Sequence, residues 1–393
     1  MSNWELDVGS TPILNDKPNF LTEKDAHEPF DLDKRIRHFE RLLTGHGRHP
    51  YLLVRLADAL HGRSAGQALA LLEEAQRELT VRNIEISPEF STSVNDFRRR
   101  WERTIRERKD MPDNVFSQPW IPVSDLRSPK NDLSPDGHAE VQSYWAQHFP
   151  KDSELLKRYL RAVAIETNHI EGAFLVTPES AKTVIRDGIS ASHVIASPRS
   201  AIQDESVIAT ILEDTLSAYS IVYDIVEDPY NFTPETICEA HRRVMDTARF
   251  ECRYVPAGVT RSITRNVVGI HSGDGGIIQC CPPERVDQEL AKICGLTRDY
   301  LKEGKIGPFA LASWLHLALA RCHPFNDGNG RITRLFASVP LAKHGYPPIL
   351  VPTADKVAYF NAINQAYKGD FVPLAQCFVK GMQAGMDVAG GED

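Results

Sequence analysis

Apolar side chains recur every three or four residues along most of this chain, which is the spacing of amphipathic helices. In the first third, the spacing holds from residue 32 to about residue 109, and one stripe contains Ile36, Phe39, Leu42 and Leu43. Further along it returns in residues 141–149, 153–171, 201–227, 234–249, 283–303 and 307–321. The pattern therefore predicts a mainly α-helical protein.

One short segment has the features of a β-hairpin. Residues 267–270 and 277–281 are rich in β-branched side chains, and they flank the glycine-rich stretch 272–276. Two such runs around a glycine-rich turn favour antiparallel pairing. We therefore predict a single hairpin within the helical fold.

Changes in composition divide the N-terminal third into three parts. Residues 1–30 are polar and lack periodicity, which predicts a flexible tail. Residues 31–110 form a helical region, and within it residues 51–79 faintly resemble a tetratricopeptide helix pair without a second copy. Residues 111–137 contain five prolines and are predicted to form a linker to a second helical region.

The composition narrows the class of protein. With 42% hydrophobic and 25% charged residues among 393, the chain has an ordinary globular composition. Its net charge of −8 argues against nucleic-acid binding, which needs an excess of Lys and Arg. No apolar run approaches the roughly 20 residues that span a bilayer, and no secretory signal is visible. We therefore predict no nucleic-acid or membrane partner and a cytoplasmic location, with the nucleus as the alternative.

The chemically distinctive segment is residues 321–334, which read RCHPFNDGNGRITR. Gly328 and Gly330 favour a tight loop, and helical apolar spacing resumes directly behind them. A helix is therefore predicted to begin at these glycines. The first turn of a helix offers unpaired N–H groups and a partial positive charge, which together suit a phosphate.

Four side chains of the same segment complement a bound phosphate. Arg331 and Arg334 lie three residues apart, so they share one face of the predicted helix. Asp327 suits Mg²⁺, which commonly takes one carboxylate together with phosphate oxygens and water. His323 can accept a proton near neutral pH. The segment therefore predicts a base, a metal ligand and a phosphate site in one place.

Residues 323–331, HPFNDGNGR, match the signature of the Fic family, HPFxDGNGR, at every specified position. The chain thus resembles Fic proteins over about residues 155–383. The resemblance implies transfer of AMP from ATP, with Mg²⁺, to a Ser, Thr or Tyr hydroxyl of a protein, and release of pyrophosphate. The implied fold is a Fic-type helical bundle with a short β-hairpin flap, comprising a connecting region in 138–200 and a catalytic core in 201–385.

The resemblance also implies roles for single residues. His323 would deprotonate the incoming hydroxyl, and Asp327 would bind Mg²⁺. The phosphates would be held by Gly328, Asn329, Gly330, Arg331 and Arg334. Pro340 lies within the helix that follows, where it is expected to kink or shorten that helix.

The predicted hairpin takes the place of the family's flap. In Fic proteins the flap is a strand edge that aligns the target segment by backbone pairing. The implied flap residues are Val267, Val268, Gly269 and Ile270.

A second motif precedes the signature. Residues 167–172, TNHIEG, match the family's inhibitory pattern of Ser or Thr, three residues, Glu, and Gly or Asn. In relatives whose inhibitory helix precedes the core, this Glu pairs with the second Arg of the signature. The resemblance therefore implies that Glu171, with Thr167 at the start of the pattern, takes Arg334 from the γ-phosphate and leaves ATP in an unproductive pose.

Several alternatives stay open. Related enzymes with this glutamate also remove AMP from proteins, with the residue equivalent to Glu171 positioning the attacking water. A nucleotide other than ATP is a further candidate donor, because base recognition depends on residues outside the signature. The non-enzymatic alternative is a helical interaction scaffold, although His323 and Asp327 are both intact. Homodimerisation is also open.

Overall fold

The computed structural model describes residues 6–107, 115–129, 133–134, 138–251, 253–271 and 276–391. Most of these residues are helical, and three short strands form the one sheet within the described ranges. The mainly α-helical fold predicted from the apolar spacing is therefore confirmed. The chain divides into two compact units, one of Met1–Val115 with Ile263–Asn266 and one of Phe116–Ser262 with Val267–Asp393.

The first unit is a set of helices around its own core. Their bounds are α1 Pro12–Asn15, α2 Glu23–Ala26, α3 Leu32–His46, α4 Pro50–Leu60, α5 Ala65–Val81 and α6 Pro88–Glu107. The predicted apolar stripe of α3 is buried, from Ile36 to Leu43. Asp31 caps α3 by accepting the N–H of Lys34 at 2.9 Å, which satisfies one of the unpaired donors at the helix start.

The segment predicted as a flexible tail contains α1 and α2 in its described part. Leu14 and Leu21 are buried there, and Thr11 Oγ1 accepts the N–H of Ser87 at 3.2 Å. The described residues of this segment are thus folded against the first unit. Apolar periodicity did not show them, because a helix of four residues has too few apolar positions to establish a period.

The second unit contains the remaining helices. Their bounds are α7 Ala139–His148, α8 Glu154–Glu171, α9 Pro178–Asp187, α10 Glu205–Glu227, α11 Pro234–Val244, α12 Arg261–Thr264 (which begins in this unit), α13 Val286–Glu303, α14 Pro308–Cys322, α15 Asn329–Lys343, α16 Lys356–Tyr367 and α17 Val372–Gly390. Every residue of α14 from Phe309 to Leu319 is buried, because α13, α15, α16 and α17 pack around it. The loop that leaves its C-terminus therefore starts from a fixed point in the core.

The sheet has one strand more than the predicted hairpin. Strands β2 (Gly269–His271) and β3 (Ile277–Gln279) pair antiparallel, as predicted, and β1 (Phe116–Gln118) pairs parallel to β3 on its other side. The predicted turn residues 272–275 lie outside the described residues, as do Pro112, Pro135 and Gly137 of the predicted linker. The strand β1 was missed because three residues with polar Ser117 and Gln118, followed by a proline, carry no β-strand pattern.

Helix α15 runs through Pro340 and ends at Lys343, so the expectation that the proline shortens it is corrected. Pro340 lies less than one turn before the end of α15, so it removes a single hydrogen bond of the helix. The neighbouring Val339 and Leu341 are fully buried and hold this turn in the core. Among the helices of the described residues, none combines the length and apolar character needed to cross a membrane.

Candidate active site

The loop between α14 and α15 contains two residues with left-handed backbone conformations. His323 has a φ of 47° and ends α14, and Gly328 has a φ of 74° and caps α15. A Cβ atom at Gly328 would lie 2.8 Å from the Met245 sulfur, so close packing as well as the positive φ requires glycine. The helix start predicted at the glycines is confirmed.

The side chain of Asn329 locks this loop. Its Oδ1 accepts the N–H of Phe325 at 2.9 Å, and its Nδ2 donates to the Phe325 carbonyl at 2.9 Å. Phe325 is fully buried, so the pair ties the loop to the core. Nδ2 keeps one N–H for a further partner, and the nucleotide contact of Asn329 stays a prediction.

His241, on α11, packs against this loop and bonds its backbone. The sequence analysis did not predict this role. Its ring stacks on Phe325 at a centroid distance of 3.7 Å. The N–H of Gly258 donates to Nδ1 at 2.8 Å, so Nδ1 accepts and Nε2 carries the proton that it donates to the Asp327 carbonyl at 2.9 Å. Burial lowers the pKa of His241 to about 3, so the ring stays neutral. Because 86 residues separate His241 from Asp327, no local pattern indicated the contact.

The carboxylate of Glu171 lies at the first turn of α15. A side chain added at Gly330 would collide with Oε1 of Glu171, so this carboxylate lies directly against the helix start. The first N–H groups of a helix have no partner within the helix and attract negative charge. The glutamate of the inhibitory pattern thus lies where the sequence predicts a phosphate.

Arg334 is held almost entirely by the end of α8. Its Nη2 contacts Glu171 Oε1 at 2.7 Å and donates to the Thr167 carbonyl at 3.0 Å, while Nε donates to Thr167 Oγ1 at 2.9 Å. Arg334 is buried. The cost of burying the Glu171 carboxylate is outweighed by the charge and the hydrogen bond of Arg334 and by the charge of Arg331, which hold its pKa below the usual value. Glu171 is therefore an anion near neutral pH.

Arg331 is bound by Asn168, which lies next to Thr167 at the end of α8. Its Nη1 donates to Asn168 Oδ1 at 3.1 Å, and Nη2 contacts the Met245 sulfur at 2.9 Å. Asn168 is fully buried, and its Nδ2 donates to Thr215 Oγ1 at 3.0 Å. Within the described residues, Arg331 Nε has no partner. The contact of Asn168 was not predicted, because the inhibitory pattern leaves that position unspecified.

His323 is neutral and presents one free ring nitrogen. Burial, and then the charge of Arg261, lower its pKa to about 4. Its Nδ1 lies 3.4 Å from the Ala320 carbonyl, which can only accept, so Nδ1 carries the proton. The lone pair therefore resides on Nε2, which has no partner among the described residues. His323 lines the pocket described below, which gives this lone pair access to a ligand.

Asp327 is exposed beside the start of α15. Its Oδ1 accepts the N–H of Gly328 at 2.7 Å, which fixes the side chain over the loop. One exposed carboxylate next to a phosphate site is the donor set with which Mg²⁺ binds a nucleotide. Asp327 therefore fits the metal role that the resemblance implies.

A pocket of about 260 Å³ brings part of the predicted site together. From the predicted site residues it is lined by Glu171, Ile270, His323, Asn329, Gly330 and Arg334. Asp327, Gly328, Arg331 and Thr167 do not line it, and Thr167 is connected to it through its bonds to Arg334. Of the flap residues, only Ile270 reaches the pocket, whereas Val267 is 54% exposed.

One part of the pocket wall is a chain of three polar side chains. Nη1 of Arg321 donates to Oε1 of Gln118 at 3.2 Å, and Nε2 of Gln118 donates to Oδ1 of Asn364 at 2.8 Å. Arginine can only donate, so the Gln118 atom that faces Arg321 must be the amide oxygen. The Gln118 nitrogen therefore faces Asn364, and the Asn364 atom that accepts from it must be Oδ1. Asn364 thus keeps its Nδ2 donors for a ligand. The apolar lining around them includes Ile278, Phe360 and Ile363.

His316 of α14 belongs to the hydrogen-bond network around Arg334. It is buried, and its Nε2 lies 2.5 Å from the hydroxyl of Tyr359. That hydroxyl also accepts from Nη1 of Arg334 at 3.5 Å. Tyr359 therefore links α14 and α16 to Arg334.

Part of this chain matches a known protein family. Residues 231–341 match the model of the Fic/DOC family. The chain contains a Fic domain. The matched residues run from the start of α11 almost to the end of α15, and they include His241, Arg261 and the whole 323–334 loop and helix start. Glu171 and α8 lie outside the matched residues.

Two curated relatives are named as Fic adenylyltransferases. "Protein adenylyltransferase Fic" of Nematostella vectensis is 32% identical over 153 residues, which are 38% of this chain and 32% of that protein. "Protein adenylyltransferase Fic" of Drosophila erecta is 26% identical over 362 residues, which are 91% of this chain and 61% of that protein. This chain thus spans less than two thirds of the length of either relative.

A solved structure supports the fold. A Fic domain-containing signaling protein from Bacteroides thetaiotaomicron superposes with a TM-score of 0.51 at 20% identity. The superposition covers 65% of this chain and 98% of that chain. The two proteins share the Fic fold.

Proposed function

We propose that this protein is a protein adenylyltransferase, which transfers AMP from ATP to a Ser, Thr or Tyr hydroxyl of another protein. The observation that carries the proposal is the convergence of the His323 imidazole, the first turn of α15 and the Arg334 guanidinium on one pocket. A base, an anion site and a fixed cation are the groups that nucleotidyl transfer needs. The names of the relatives support the same activity.

In the proposed reaction, the target hydroxyl oxygen bonds to the α-phosphorus of ATP. The bond between that phosphorus and the bridging oxygen breaks, and pyrophosphate leaves. The hydroxyl proton goes to Nε2 of His323, whose lone pair is available because Nδ1 carries the ring proton. Base assistance of this kind contributes roughly 10²- to 10⁴-fold in rate.

The remaining acceleration comes from alignment and charge. The N–H groups at the start of α15 and the guanidinium of Arg334 bind and orient the triphosphate in this proposal. Arg331, fixed by Asn168, adds positive charge behind the loop. Asp327 would hold Mg²⁺, which supplies further neutralisation of phosphate charge.

The sheet offers a docking edge for the target. The strand order is β1-β3-β2, so β2 lies at an edge of the sheet in the described residues. We propose that an extended segment of the target pairs with this edge, which Val267 and Val268 continue toward the N-terminus. Backbone pairing would bring a side-chain hydroxyl toward the pocket, because Ile270 of the same strand lines it.

Glu171 is proposed to inhibit this activity. Its carboxylate lies against Gly330 and binds Arg334, so it competes with phosphate oxygens for both. ATP that binds while Glu171 stays in place lacks its arginine contact. The resting protein is therefore nearly inactive in this proposal.

The reverse reaction is a second candidate, since Glu171 and His323 line the same pocket. An ionised Glu171 is able to orient a water molecule toward the phosphorus of an AMP-modified side chain. Incubation of the wild-type protein with an AMP-modified target distinguishes the two directions, because removal releases AMP and leaves the free hydroxyl.

ATP is the proposed donor because the polar wall of the pocket offers hydrogen-bond donors. The Nδ2 group of Asn364 suits a ring nitrogen of a purine that accepts a hydrogen bond. The apolar side chains of Ile278, Phe360 and Ile363 provide surface for the base to pack against. Competition with GTP and UTP measures this preference directly.

We also propose that the N-terminal helical region, residues 31–110, selects the target protein. Deletion of residues 1–110 should then preserve auto-modification and weaken modification of native targets. Unchanged target selection by the shortened chain would refute this role.

The experiment that tests the activity uses the Glu171→Gly variant with ATP labelled at the α- or the γ-phosphate. Transfer of the α-label alone identifies adenylylation, whereas transfer of the γ-label identifies phosphorylation. His323→Ala in the same background should abolish the transfer and retain ATP binding. As a control, His344→Ala changes an exposed histidine beyond the end of α15 and should have no effect.

A further inference from the structure

A buried arginine outside the Fic signature holds the loop that contains His323. Arg261 is fully buried, and its Nε donates to the His323 carbonyl at 2.6 Å. Its Nη2 donates to the Cys322 carbonyl at 3.2 Å and to the Cys281 carbonyl at 2.7 Å. Its backbone N–H donates to the Pro324 carbonyl at 2.7 Å. One residue thus binds three consecutive residues of the loop and the segment just after β3.

Burial of this guanidinium has a free-energy cost, which its partners must offset. Burial lowers the pKa of Arg261, which reflects that cost. Each carbonyl bond to the cation is charge-assisted and therefore stronger than a neutral hydrogen bond. The fork of the guanidinium reaches carbonyls of separate segments at once, which no other side chain can do in the same way.

The loop needs such support because His323 has a left-handed backbone. A residue with a side chain at a φ of 47° lies in a sparsely populated and strained region of backbone conformation. The direction of the imidazole depends on this backbone, because the Cα–Cβ bond turns with it. Arg261 bonds the carbonyls of Cys322 and His323, and its own N–H bonds that of Pro324, so the conformation is held on both sides.

We infer that Arg261 is a positioning residue for His323, which fixes the direction of the catalytic imidazole relative to the end of flap strand β3. Arg261 then holds two parts of the site at a fixed distance. One is the base, and the other is the flap at which the target hydroxyl would bind. Arg261 itself does not line the pocket. This inference rests on the proposed adenylyltransferase activity.

The test uses Glu171→Gly as the parent and compares Arg261→Lys and Arg261→Gln in that background. Lysine keeps the charge but has one nitrogen in place of the fork, so it cannot bind the separate carbonyls together. For Arg261→Lys we expect kcat to fall by about 10²-fold, the scale of a small misplacement of a reacting group. We expect KM for ATP to change by less than about threefold, because alignment rather than binding is lost.

A second measurement separates positioning from general support of the fold. In Arg261→Gln the midpoint of the fall in kcat at acid pH should move to higher pH, because glutamine removes the positive charge that lowers the pKa of His323. In Arg261→Lys the charge is kept, so the midpoint should not move. Glu171, the other charged group that acts on this ring, is absent from both variants. The matched control is Arg298→Lys on α13, where the arginine donates to the Phe232 carbonyl at 3.2 Å away from the loop; it should retain the kcat of the parent.

Two results would overturn the inference. In the first, Arg261→Lys keeps kcat within about threefold of the parent. In the second, it loses ATP binding, measured by calorimetry with Mg²⁺, together with kcat, which shows a role in the fold as a whole. Failure of the parent itself to transfer AMP would count against the proposed function and not against the positioning role.

Discussion

The carboxylate of Glu171 binds the guanidinium of Arg334, with 2.7 Å between Oε1 and Nη2. The two partners differ in exposure, because Arg334 is buried whereas 29% of the Glu171 side chain is exposed. If Glu171 is removed, Arg334 still donates to the side chain and the carbonyl of Thr167. The glutamate is therefore the partner that a phosphate can replace without leaving a buried charge unsupported.

Replacement of Glu171 by glycine should raise the rate of auto-modification. The variant frees Nη2 of Arg334 and the start of α15 for the phosphates. We expect an increase on the order of 10- to 100-fold, the range typical of a coupling between two sites. Labelled ATP and separation of the protein on a gel measure the rate.

The control for this variant is Glu154→Gly, which makes the same change in the first turn of the same helix. Glu154 is 52% exposed and forms its ion pairs with Lys157 and Arg161, outside the pocket. Equal rates for Glu171→Gly and the wild type would refute inhibition by Glu171.

The pH dependence of the Glu171→Gly enzyme should report the low pKa of His323. The base is active when neutral, so activity is present above its pKa and is lost as the pH falls through it. An ordinary histidine would be half protonated at about pH 6.5. Burial and Arg261 place the pKa of His323 at about 4, and Glu171, which raises this pKa, is absent from the variant. We therefore expect kcat to stay flat from neutral pH down to about pH 5. An acid limb with its midpoint above about pH 6 would contradict a buried, neutral base.

His241 should contribute to stability through its two hydrogen bonds. In His241→Phe the stacking on Phe325 is retained, but the Gly258 N–H and the Asp327 carbonyl lose their partners. Both hydrogen bonds are part-buried and each contributes about 0.5–1.5 kcal/mol, so we expect the free energy of unfolding to fall by about 1–3 kcal/mol. Urea unfolding followed by circular dichroism measures the change. His148→Phe on α7, where the ring bonds only the Tyr144 carbonyl of its own helix, should change it by less than about 1 kcal/mol.

The parts of the site that are close in sequence could be predicted, and the parts that are distant could not. The helix start at Gly328 and Gly330 followed from turn chemistry and the return of apolar spacing. The long helices followed from periodicity, since α8 and α13 contain enough turns to establish it. By contrast, His241 reaches the loop by tertiary packing, and nothing near it in the sequence distinguishes it from any core histidine.

Asn329 shows a different limit. The sequence places it correctly at the start of α15, but an amide has donors and acceptors that serve a phosphate or a backbone equally well. In the structure both polar atoms bond Phe325, and one N–H of Nδ2 is left for another partner. Which partner an amide takes depends on the folded loop, so residue type and position alone could not decide it.

Asn364 should determine part of the affinity for ATP. Because Arg321 fixes Gln118, and Gln118 donates to Oδ1 of Asn364, only the Nδ2 donors of Asn364 remain for a ligand. Asn364→Asp replaces these donors by a carboxylate oxygen, which can only accept. It would then face a purine nitrogen that also accepts, and the hydrogen bond is lost. The loss of one hydrogen bond to a buried partner costs about 1–3 kcal/mol, so we expect KM for ATP to rise by about 5- to 150-fold with kcat at saturation little changed.

The neighbouring asparagine provides the matched control for this last variant. Asn361 is exposed on the same helix and does not line the pocket, so Asn361→Asp adds the same charge to α16 without touching the ligand. Its KM for ATP should equal that of the Glu171→Gly parent in which both variants are made. If both substitutions raise KM equally, the effect comes from added negative charge on α16. An unchanged KM in Asn364→Asp would instead place the base elsewhere in the pocket.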